Sequence, residues 1–523
     1  MSDVDLSNDL TGTSGETKYF FDAGRGLFWK EFQQGENPVE WIELREAAMR
    51  RDLMKSGLSH KIDPAKGKIS PLDDRIRTIE QGQRVRRAME VAGYKVGVHR
   101  MGSDLVLVPR SAQLIKPAKG STLLVAAFLE GLFVGQERTD MGPSQPARVE
   151  THDQRDRWLA WMQGWLQSLY AGSPTSGLCF HLAGEPECGK TRLAEMMKEL
   201  TGGRVGKPYR YMIGKDDFNR ELFEASLQLV DDENADTNIE ARKELAAQIK
   251  IFVANADLKL RGMHQDGFNV KPNWRLVVLT NLEAEALLVM PPLTGDIADK
   301  IFMAKGYRRP RPPAAAYGTP EMDAYLADKP ALAAWLKHAI ETGVVKAEAA
   351  GRCWPMPMPT DHFREQLEFW DRMRAEFPAF VFWLLEEYGA PSQVLGGRFG
   401  VREWQHPEIL EALSEFSPHV RFWRIIERSG VVFRRKVPHT DPAAGDFYED
   451  TKEWTGSADD LEKLLRDEGN NLNRHERDRE VRAASWIGQR LKEAQRHWPG
   501  LVDFKRTGMA RKWTLKRDLE LTG

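Results

Sequence analysis

One run of eight residues, Gly184-Glu-Pro-Glu-Cys-Gly-Lys-Thr191, constrains this chain more than any other feature. It fits the pattern G-x-x-x-x-G-K-[ST], and the chemistry requires that spacing. Gly184 and Gly189 let the backbone turn so that its N–H groups face phosphate oxygens, with Glu185, Pro186, Glu187 and Cys188 forming the cradle between them. Lys190 places a cation at the β- and γ-phosphates, and the Thr191 hydroxyl is a ligand for Mg²⁺. The flanks agree: an apolar run, LCFHLA, precedes the loop, and a helix-forming run, RLAEMMKELTGG, follows it and offers its dipole to an anion. The expectation is a nucleoside triphosphate site with ATP and Mg²⁺ as cofactors. Cys188 is expected to be a small filler of the loop and not a redox centre.

A phosphate loop that hydrolyses needs a second strand ending in carboxylates, one for the metal and one to polarise water. Leu227-Gln-Leu-Val-Asp-Asp-Glu233 supplies it downstream. Asp232 is the metal-side carboxylate and Glu233 the water activator, with Asp231/Asp232 as an alternative register. Arg275-Leu-Val-Val-Leu-Thr-Asn281 is a further buried strand ending in an amide. Asn281 is suited to hydrogen-bond a γ-phosphate or the attacking water, although an Asn after a strand also serves turns. Between these strands lie a helix, Ile239–Asn255, and the segment Leu258–Val270, whose alternation around Gly262 and Gly267 predicts a hairpin. Lys259, Arg261 and His264 lie on it and suit the phosphates of a single strand, or else simply solvate the hairpin.

The 523 residues suggest three or four domains. With 75 Lys+Arg against 77 Asp+Glu, the net charge of −2 excludes nucleic-acid binding by a general positive field, so any such site must come from local charge. The longest apolar stretch, Ser121–Gly135, is short and carries Glu130, so no membrane span is expected. Three cysteines are too few for a disulfide framework or a four-ligand zinc site, and a reduced, cytoplasmic protein is expected. Residues 1–17 look like a disordered tail, 18–150 an α+β accessory domain and linker, and 151–310 the phosphate-loop core. The residues from 311 to 456 form a helical region and linker. In the accessory domain we expect an aromatic strand at Tyr19–Phe21, a helix around Asp74–Ala92 and β-runs at Tyr94–His99 and Asp104–Pro109, with a linker at 142–146. In the core, strands are expected at Leu178–Ala183, Tyr209–Ile213, Leu227–Asp231 and Leu276–Thr280, alternating with helices as in a mostly parallel α/β sheet. Trp158, Met162, Trp165 and Leu169, with Trp161, stand at helical spacing and read as a buried face rather than a base-stacking surface. His362 and His406 lack ligand spacing and read as packing residues.

With those residues in order, the chain resembles superfamily 3 helicases, and more closely the helicase domain of phage and mobile-element primase–helicase proteins. The stretches that carry the resemblance are LAGEPECGKTRL (182–193), Tyr211–Asn219 with Glu221–Ala225, LVDDE (229–233) and WRLVVLTN (274–281). They continue with Met290-Pro-Pro-Leu, Asp296–Ile301, Arg398-Phe-Gly-Val and His406-Pro407. The resemblance implies an AAA+ core and a homo-hexameric ring with ATP sites between subunits. Its pore would translocate single-stranded DNA during replication of a phage, prophage or plasmid-like element. It gives Asn281 the sensor role and sets the 258–270 hairpin in the pore. It also implies an arginine reaching into the neighbour's site. The nearest matching position is Lys300, and Arg308, Arg309 and Arg311 follow in a proline-rich break. Arg308 or Arg309 is the candidate finger, with a lysine finger at Lys300 as the alternative, unless this run is a solvated linker. Multidomain relatives carry a primase or polymerase domain in front, which the roughly 150 residues ahead of the core are too few to form, so no polymerising activity is expected from this chain alone, and a separate primase or polymerase is a candidate partner.

The last segment, 457–523, reads as a winged helix. Ser457–Leu465 is a first helix, Ser485–Trp498 a recognition helix with Ser485 as N-cap, and Val502–Arg506 with Arg511–Leu515 a wing. From Arg474 to Arg517 there are 13 Lys/Arg against 5 Asp/Glu, a local net of +8 on a chain of −2. Duplex DNA is the expected partner, through Arg490, Arg496, Arg506 and Lys512, although winged helices also dock proteins. A nucleotide-gated DNA-binding initiator or antiviral-defence regulator shares every one of these features with a helicase. A small-molecule kinase would explain neither the hairpin, the sensor strand nor the basic C-terminal segment.

Overall fold

The computed structural model describes residues 18–33, 39–62, 69–134, 151–231, 239–254, 258–261, 267–291, 293, 295–308, 312–352, 363–415, 418–437, 447–467, 470–474, 477, 481, 483–498, 500–507 and 510–517. The expectations on residues 1–17, the linker 142–146, Asp232, Glu233, His264, Arg309, Arg311, Cys353 and His362 lie outside the described residues. The chain divides into two compact units, residues 1–409 and 410–523.

The first unit opens with β1 (Tyr19–Asp22), β2 (Leu27–Phe32), β3 (Glu40–Leu44) and β4 (Arg84–Val85), ordered β3-β2-β1-β4. Beside it β5 (Arg87–Ala88), β6 (Gly97–Met101) and β7 (Asp104–Val108) are ordered β5-β7-β6. Period-two alternation sends Tyr19 and Phe28 to a core with Met49, Leu53, Leu72, Ile76 and Ile79. It sends Phe20, Trp29 and Trp41 to a second core with Val98 and Leu107. The helix expected around Asp74–Ala92 runs from Pro71 to Gly82, with the Ser70 hydroxyl accepting from Asp73 N at 3.1 Å. It stops there because Arg84 and Val85 pair in parallel with Phe21 and Asp22, so tertiary pairing overrides helical spacing.

The centre of the unit is a six-stranded parallel sheet. In chain order, β8 (Cys179–Gly184), β9 (Val205–Gly206) and β10 (Leu227–Asp231) come first. A separate antiparallel hairpin, β11 (Leu258–Leu260) and β12 (Phe268–Val270), follows. Then come β13 (Arg275–Thr280), β14 (Ile301–Gly306) and β15 (Trp404–Gln405). The spatial order is β15-β14-β8-β13-β10-β9, and every pair is parallel. The strand expected at Tyr209–Ile213 is instead a helical turn, Tyr209–Met212. Met212 N donates to Pro208 O at 2.9 Å and Ile213 N to Tyr209 O at 3.0 Å, and Val205–Gly206 pairs with Leu227 and Gln228 at the sheet edge. β14 and β15 have no counterpart among the expected strands. IFMAKG has neither alternation nor a β-branched run, and it becomes a strand because it lies alongside β8. Buried Gln154 holds it there, accepting from Lys305 N and donating to Lys305 O, both at 3.0 Å.

The helix Thr151–Ala171 buries Trp158, Trp161, Met162, Trp165 and Leu169, the stripe that the spacing singles out. Trp161 Nε1 donates to Leu178 O at 3.0 Å, which ties this helix to the start of β8. The apolar stretch forms the helix Leu123–Phe133, and its one acid explains itself by long-range capping. Buried Glu130 accepts from Ala331 N (3.0 Å) and Leu332 N (3.1 Å), capping the helix Pro330–Glu341. Glu376, in the helix Phe363–Phe382, caps Leu123–Phe133 in turn through Leu124 N and Val125 N, at 2.8 and 3.0 Å. Among the described residues no helix is long and apolar enough to cross a membrane.

The second unit holds the helices Pro418–Ser429, Ala458–Arg466 and Ala484–His497. Its strands are β16 (Arg434–Val437) with β17 (Phe447–Asp450), and β18 (Glu453–Gly456), β19 (Val502–Thr507) and β20 (Ala510–Lys516), the last three ordered β18-β20-β19. Phe422, Ile426, Leu461, Leu465, Ile487, Leu491, Val502 and Leu515 make its core. Ser457 and Asp460 form a capping box. The cap expected at Ser485 is a correction: Ala483 is the N-cap, and Ser485 lies inside the helix.

Candidate functional site

Because all six strands run in one direction, their C-terminal ends share one edge of the sheet. The chain crosses from β13 over β8 to β14, so the strand ahead of the phosphate loop sits between neighbours reached from either side, the position where α/β sheets bind ligands. Gly184 is aligned with Gly306 of β14, and Ala183 with Thr280 of β13. A Cβ on Gly184 would stand 2.8 Å from Gly306 O and 2.6 Å from Cys188 Sγ, so only glycine fits. Gly189 takes a left-handed conformation at φ 106° as N-cap of the helix Lys190–Leu200. Among the described residues Glu187, at φ 63°, is the single non-glycine with positive φ. Such strain concentrates where backbone N–H groups are turned toward a ligand.

The loop divides into an outer rim and a buried base. Glu185, Pro186, Glu187 and Thr191 are exposed, whereas Gly184 and Cys188 are buried. Burial pushes the Cys188 thiol up, partly offset by the Lys190 ammonium, which agrees with a filler rather than a nucleophile. Lys190 Nζ donates to Gly184 O (2.7 Å), Glu185 O (2.9 Å) and Asn281 Oδ1 (3.0 Å). The cation of the loop and the amide at the end of β13, 91 residues apart, therefore meet directly. Under them His181 Nε2 is 2.8 Å from Thr280 Oγ1, and burial lowers this histidine to about 3, so it is neutral.

β10 ends at Asp231, aligned with Leu279 of β13. Arg308, two residues past β14, donates from Nη2 to Glu187 Oε2 at 2.8 Å. The guanidinium expected to reach a neighbour thus sits on the loop of its own chain, and a role in trans requires that exposed pair to open. Lys300 pairs with Asp299 at 2.6 Å. His406 is a packing residue: its Nε2 meets Tyr307 OH at 3.0 Å, and burial lowers its pKa to about 4. Among the described residues no group of three or more His, Cys, Asp or Glu could hold a metal ion by itself. The Thr191 hydroxyl lies on the first turn of the helix Lys190–Leu200.

Lys259 and Arg261, with Leu260 buried between them, are exposed on the hairpin. The hairpin leads directly into the N-terminal end of β13, so it lies at the opposite edge of the sheet from the loop. In the second unit Arg506 and Lys512 are exposed on β19 and β20, while Arg490 is committed elsewhere. Its guanidinium stacks over Trp486 at 5.3 Å and donates to Glu493 at 2.5 Å. The exposed face of the helix is Ser485, Gln489 and Lys492, opposite the buried Ile487, Leu491 and Ala494. Arg496 falls within the helix, and its side chain lies outside the described residues. Sequence reasoning also missed the basic ladder. In β19–β20, Lys505 is paired with Lys512 and Arg506 with Arg511, and all four are exposed. Like charges directly opposite each other are destabilising, a cost that a bound polyanion would cancel.

The family of unknown function DUF5906 matches residues 182–289, a span from β8 through the phosphate loop and hairpin to just past Asn281. No curated protein matches the chain significantly. The chain is similar to the apo C-terminal region of NrS-1, at 11% identity over 96% of each chain and a TM-score of 0.49. It is similar to SCCmec type IV Cch, described as an active helicase, at 9% identity over 97% of this chain and 93% of that one, with a TM-score of 0.33. A JCV helicase bound to a small molecule is similar at 12% identity over 50% of this chain and 72% of that one, with a TM-score of 0.20.

Proposed function

We propose that this chain is an ATP-dependent DNA helicase of the superfamily 3 type. In this reading it assembles as a homo-hexameric ring and serves replication of a phage, prophage or plasmid-like element. The observation that carries the reading is the meeting of Lys190 with Asn281 across the phosphate loop. A loop that only anchored phosphate would not need an amide from the adjacent strand on its cation. An amide there fits a group that reports the γ-phosphate.

ATP with Mg²⁺ supplies phosphoryl transfer to water when bound. Lys190 would exchange the carbonyls of Gly184 and Glu185 for β- and γ-phosphate oxygens, freeing Asn281 to face the γ-phosphate or water. Thr191 offers its hydroxyl to the metal, and Asp232 and Glu233, next in the chain after β10, supply the carboxylates for metal and water. Arg308 or Arg309 is the guanidinium that answers the charge on the transferring group. Lys259, Arg261 and His264 touch single-stranded DNA in the ring's pore.

The second unit serves as a winged helix on duplex DNA, with Lys505, Arg506, Arg511 and Lys512 of the β19–β20 wing as its phosphate contacts. A separate primase or polymerase works alongside it in the cytoplasm.

Steady-state ATP hydrolysis with and without single-stranded DNA tests the reading, with Lys190→Ala as control. Stimulation by DNA that the variant abolishes supports the motor, and strand displacement then follows as the second assay. Hydrolysis indifferent to DNA overturns the motor and moves the assignment to a nucleotide-gated DNA-binding regulator.

A further inference from the structure

Asn219 has no assigned role, yet it makes a dense set of contacts with the hairpin. The residue is buried. Its Oδ1 accepts from Arg261 N at 2.7 Å, its Nδ2 donates to Lys259 O at 3.0 Å, and its own backbone N–H donates to Arg261 O at 3.3 Å. The Nδ2 group also donates to Tyr211 OH at 3.1 Å. One amide side chain therefore mimics a neighbouring strand for β11. The backbone it grips belongs to the two exposed cations that the proposed function places on DNA. Leu260, between them, is buried, so the grip fixes the direction in which both side chains leave the strand.

The other end of the contact is equally fixed. Asn219 opens the turn Arg220–Phe223, with Leu222 N donating to Asn219 O at 3.1 Å. Buried Gln228 of β10 donates to Leu222 O (2.7 Å) and Ala225 O (2.8 Å), which fastens that turn to the strand ending at Asp231. The hairpin's exit is held as well: Tyr94 OH donates to Lys271 O at 3.0 Å, and Asn273 N to Ala92 O at 3.0 Å. A short polar path thus runs from the acidic strand through Gln228 and Asn219 to Lys259 and Arg261. The cleft beside it, about 460 Å³, is lined by Tyr211, Asn219, Phe252, Lys259, Arg261 and Trp274 among others, and leaves the hairpin room to tilt once the grip is lost.

We propose that Asn219 is the positioning residue of the DNA hairpin, holding the backbones of Lys259 and Arg261 to the acidic strand so that both cations meet a single strand together. The inference rests on the helicase reading.

It is tested with the full chain, ATP and a fluorescently labelled oligothymidylate, following hydrolysis against oligonucleotide concentration. Asn219→Ala removes three side-chain hydrogen bonds, and the concentration for half-maximal stimulation is expected to rise about tenfold while the rate at saturating oligonucleotide returns near that of the wild type. Asn219→Asp keeps the bond accepted from Arg261 and should fall between the two. Tyr211→Phe, which keeps the ring and removes one hydroxyl, should shift the same constant in the same direction by a smaller factor and serves if the Asn219 variants fold poorly. A merely structural role would lower the saturating rate and leave the constant alone, and that result overturns the inference. An unmoved constant in all three variants, with Lys259→Ala/Arg261→Ala abolishing stimulation, overturns it while leaving the helicase reading intact. A wild-type chain that no oligonucleotide stimulates overturns both.

Discussion

The Gly184–Thr191 loop and the β19–β20 hairpin, to both of which the proposed function gives phosphate, are built on opposite principles. In the loop it is the backbone that is specialised, with Gly189 at φ 106°, Glu187 at φ 63° and Gly184 pressed against Gly306. Its one cation is already satisfied by two carbonyls and Asn281. In the hairpin the backbone is ordinary antiparallel sheet, and four exposed cations face one another in two like-charged pairs. A site of the first kind is rigid and selective for shape. A site of the second kind is electrostatic, tolerant of sequence and weakened by salt.

The largest effect that can break this comparison is at the loop. Lys190→Ala is expected to lower steady-state ATP hydrolysis by about 10²–10³-fold, the scale of losing one preorganised donor at a transition state. Retained hydrolysis would remove the loop from the chemistry. Next comes the hairpin: replacing Lys505, Arg506, Arg511 and Lys512 together by Ala should reduce duplex affinity about 10²-fold at low salt. The slope of log affinity against log salt should shrink by about 3–4 in anisotropy titrations. ATP affinity, carried by backbone groups, should depend far less on salt, and equal slopes at the two sites would erase the distinction.

Gly184→Ala sharpens it differently. Its Cβ meets backbone on β14, so denaturant titration should show a loss of about 1–3 kcal/mol. The unit that carries the loop also holds His181 and His406, whose folded pKa values lie at about 3 and about 4, below the ordinary value near 6.5. Unfolding lets both bind protons, so their contribution is complete above pH 6.5 and is lost as pH falls toward the folded values. By pH 5 each should cost about 1–2 kcal/mol, read as a falling Tm that His406→Gln partly flattens. The smallest effect is expected from Arg490→Ala. Its guanidinium is stacked on Trp486, so stability should drop by about 1 kcal/mol while duplex affinity stays within about twofold.

Much of the loop's neighbourhood was legible in the sequence because its signals are local. The glycines, Lys190, the strand ahead and the helix behind lie within about two dozen residues, and β10, β13 and the tryptophan stripe announce themselves by apolar runs or helical period. Expectations failed where a segment's own preference was weak and its surroundings decided. Tyr209–Met212 has strand-like residues but closes a turn after Pro208. Ile301–Gly306 has no period, and joins the sheet where Gln154 grips it. Arg490 and Lys492 are indistinguishable in the sequence as helical cations. Only the packing of the helix decides that one is stacked inward and the other exposed.

By itself the sequence determined the strand, turn and helix around Gly184–Thr191, the parallel α/β character of the core, the hairpin that follows the acidic strand and the concentration of positive charge near the C-terminus. Each of these is written in contiguous residues whose backbone preferences and hydrophobic spacing act over one or two elements. The tertiary structure alone decided that Glu130 caps a helix 201 residues away and that Asn281 reaches Lys190 across 91. It likewise set Arg308 against Glu187 across 121 residues, and Asn219 on the hairpin backbone across 42. Those contacts are hydrogen bonds or ion pairs between polar groups with no pattern in sequence. Where they are buried, as at Glu130 and Asn219, they exist because burying a polar group costs free energy unless a partner is found, and the fold determines which partner lies within reach.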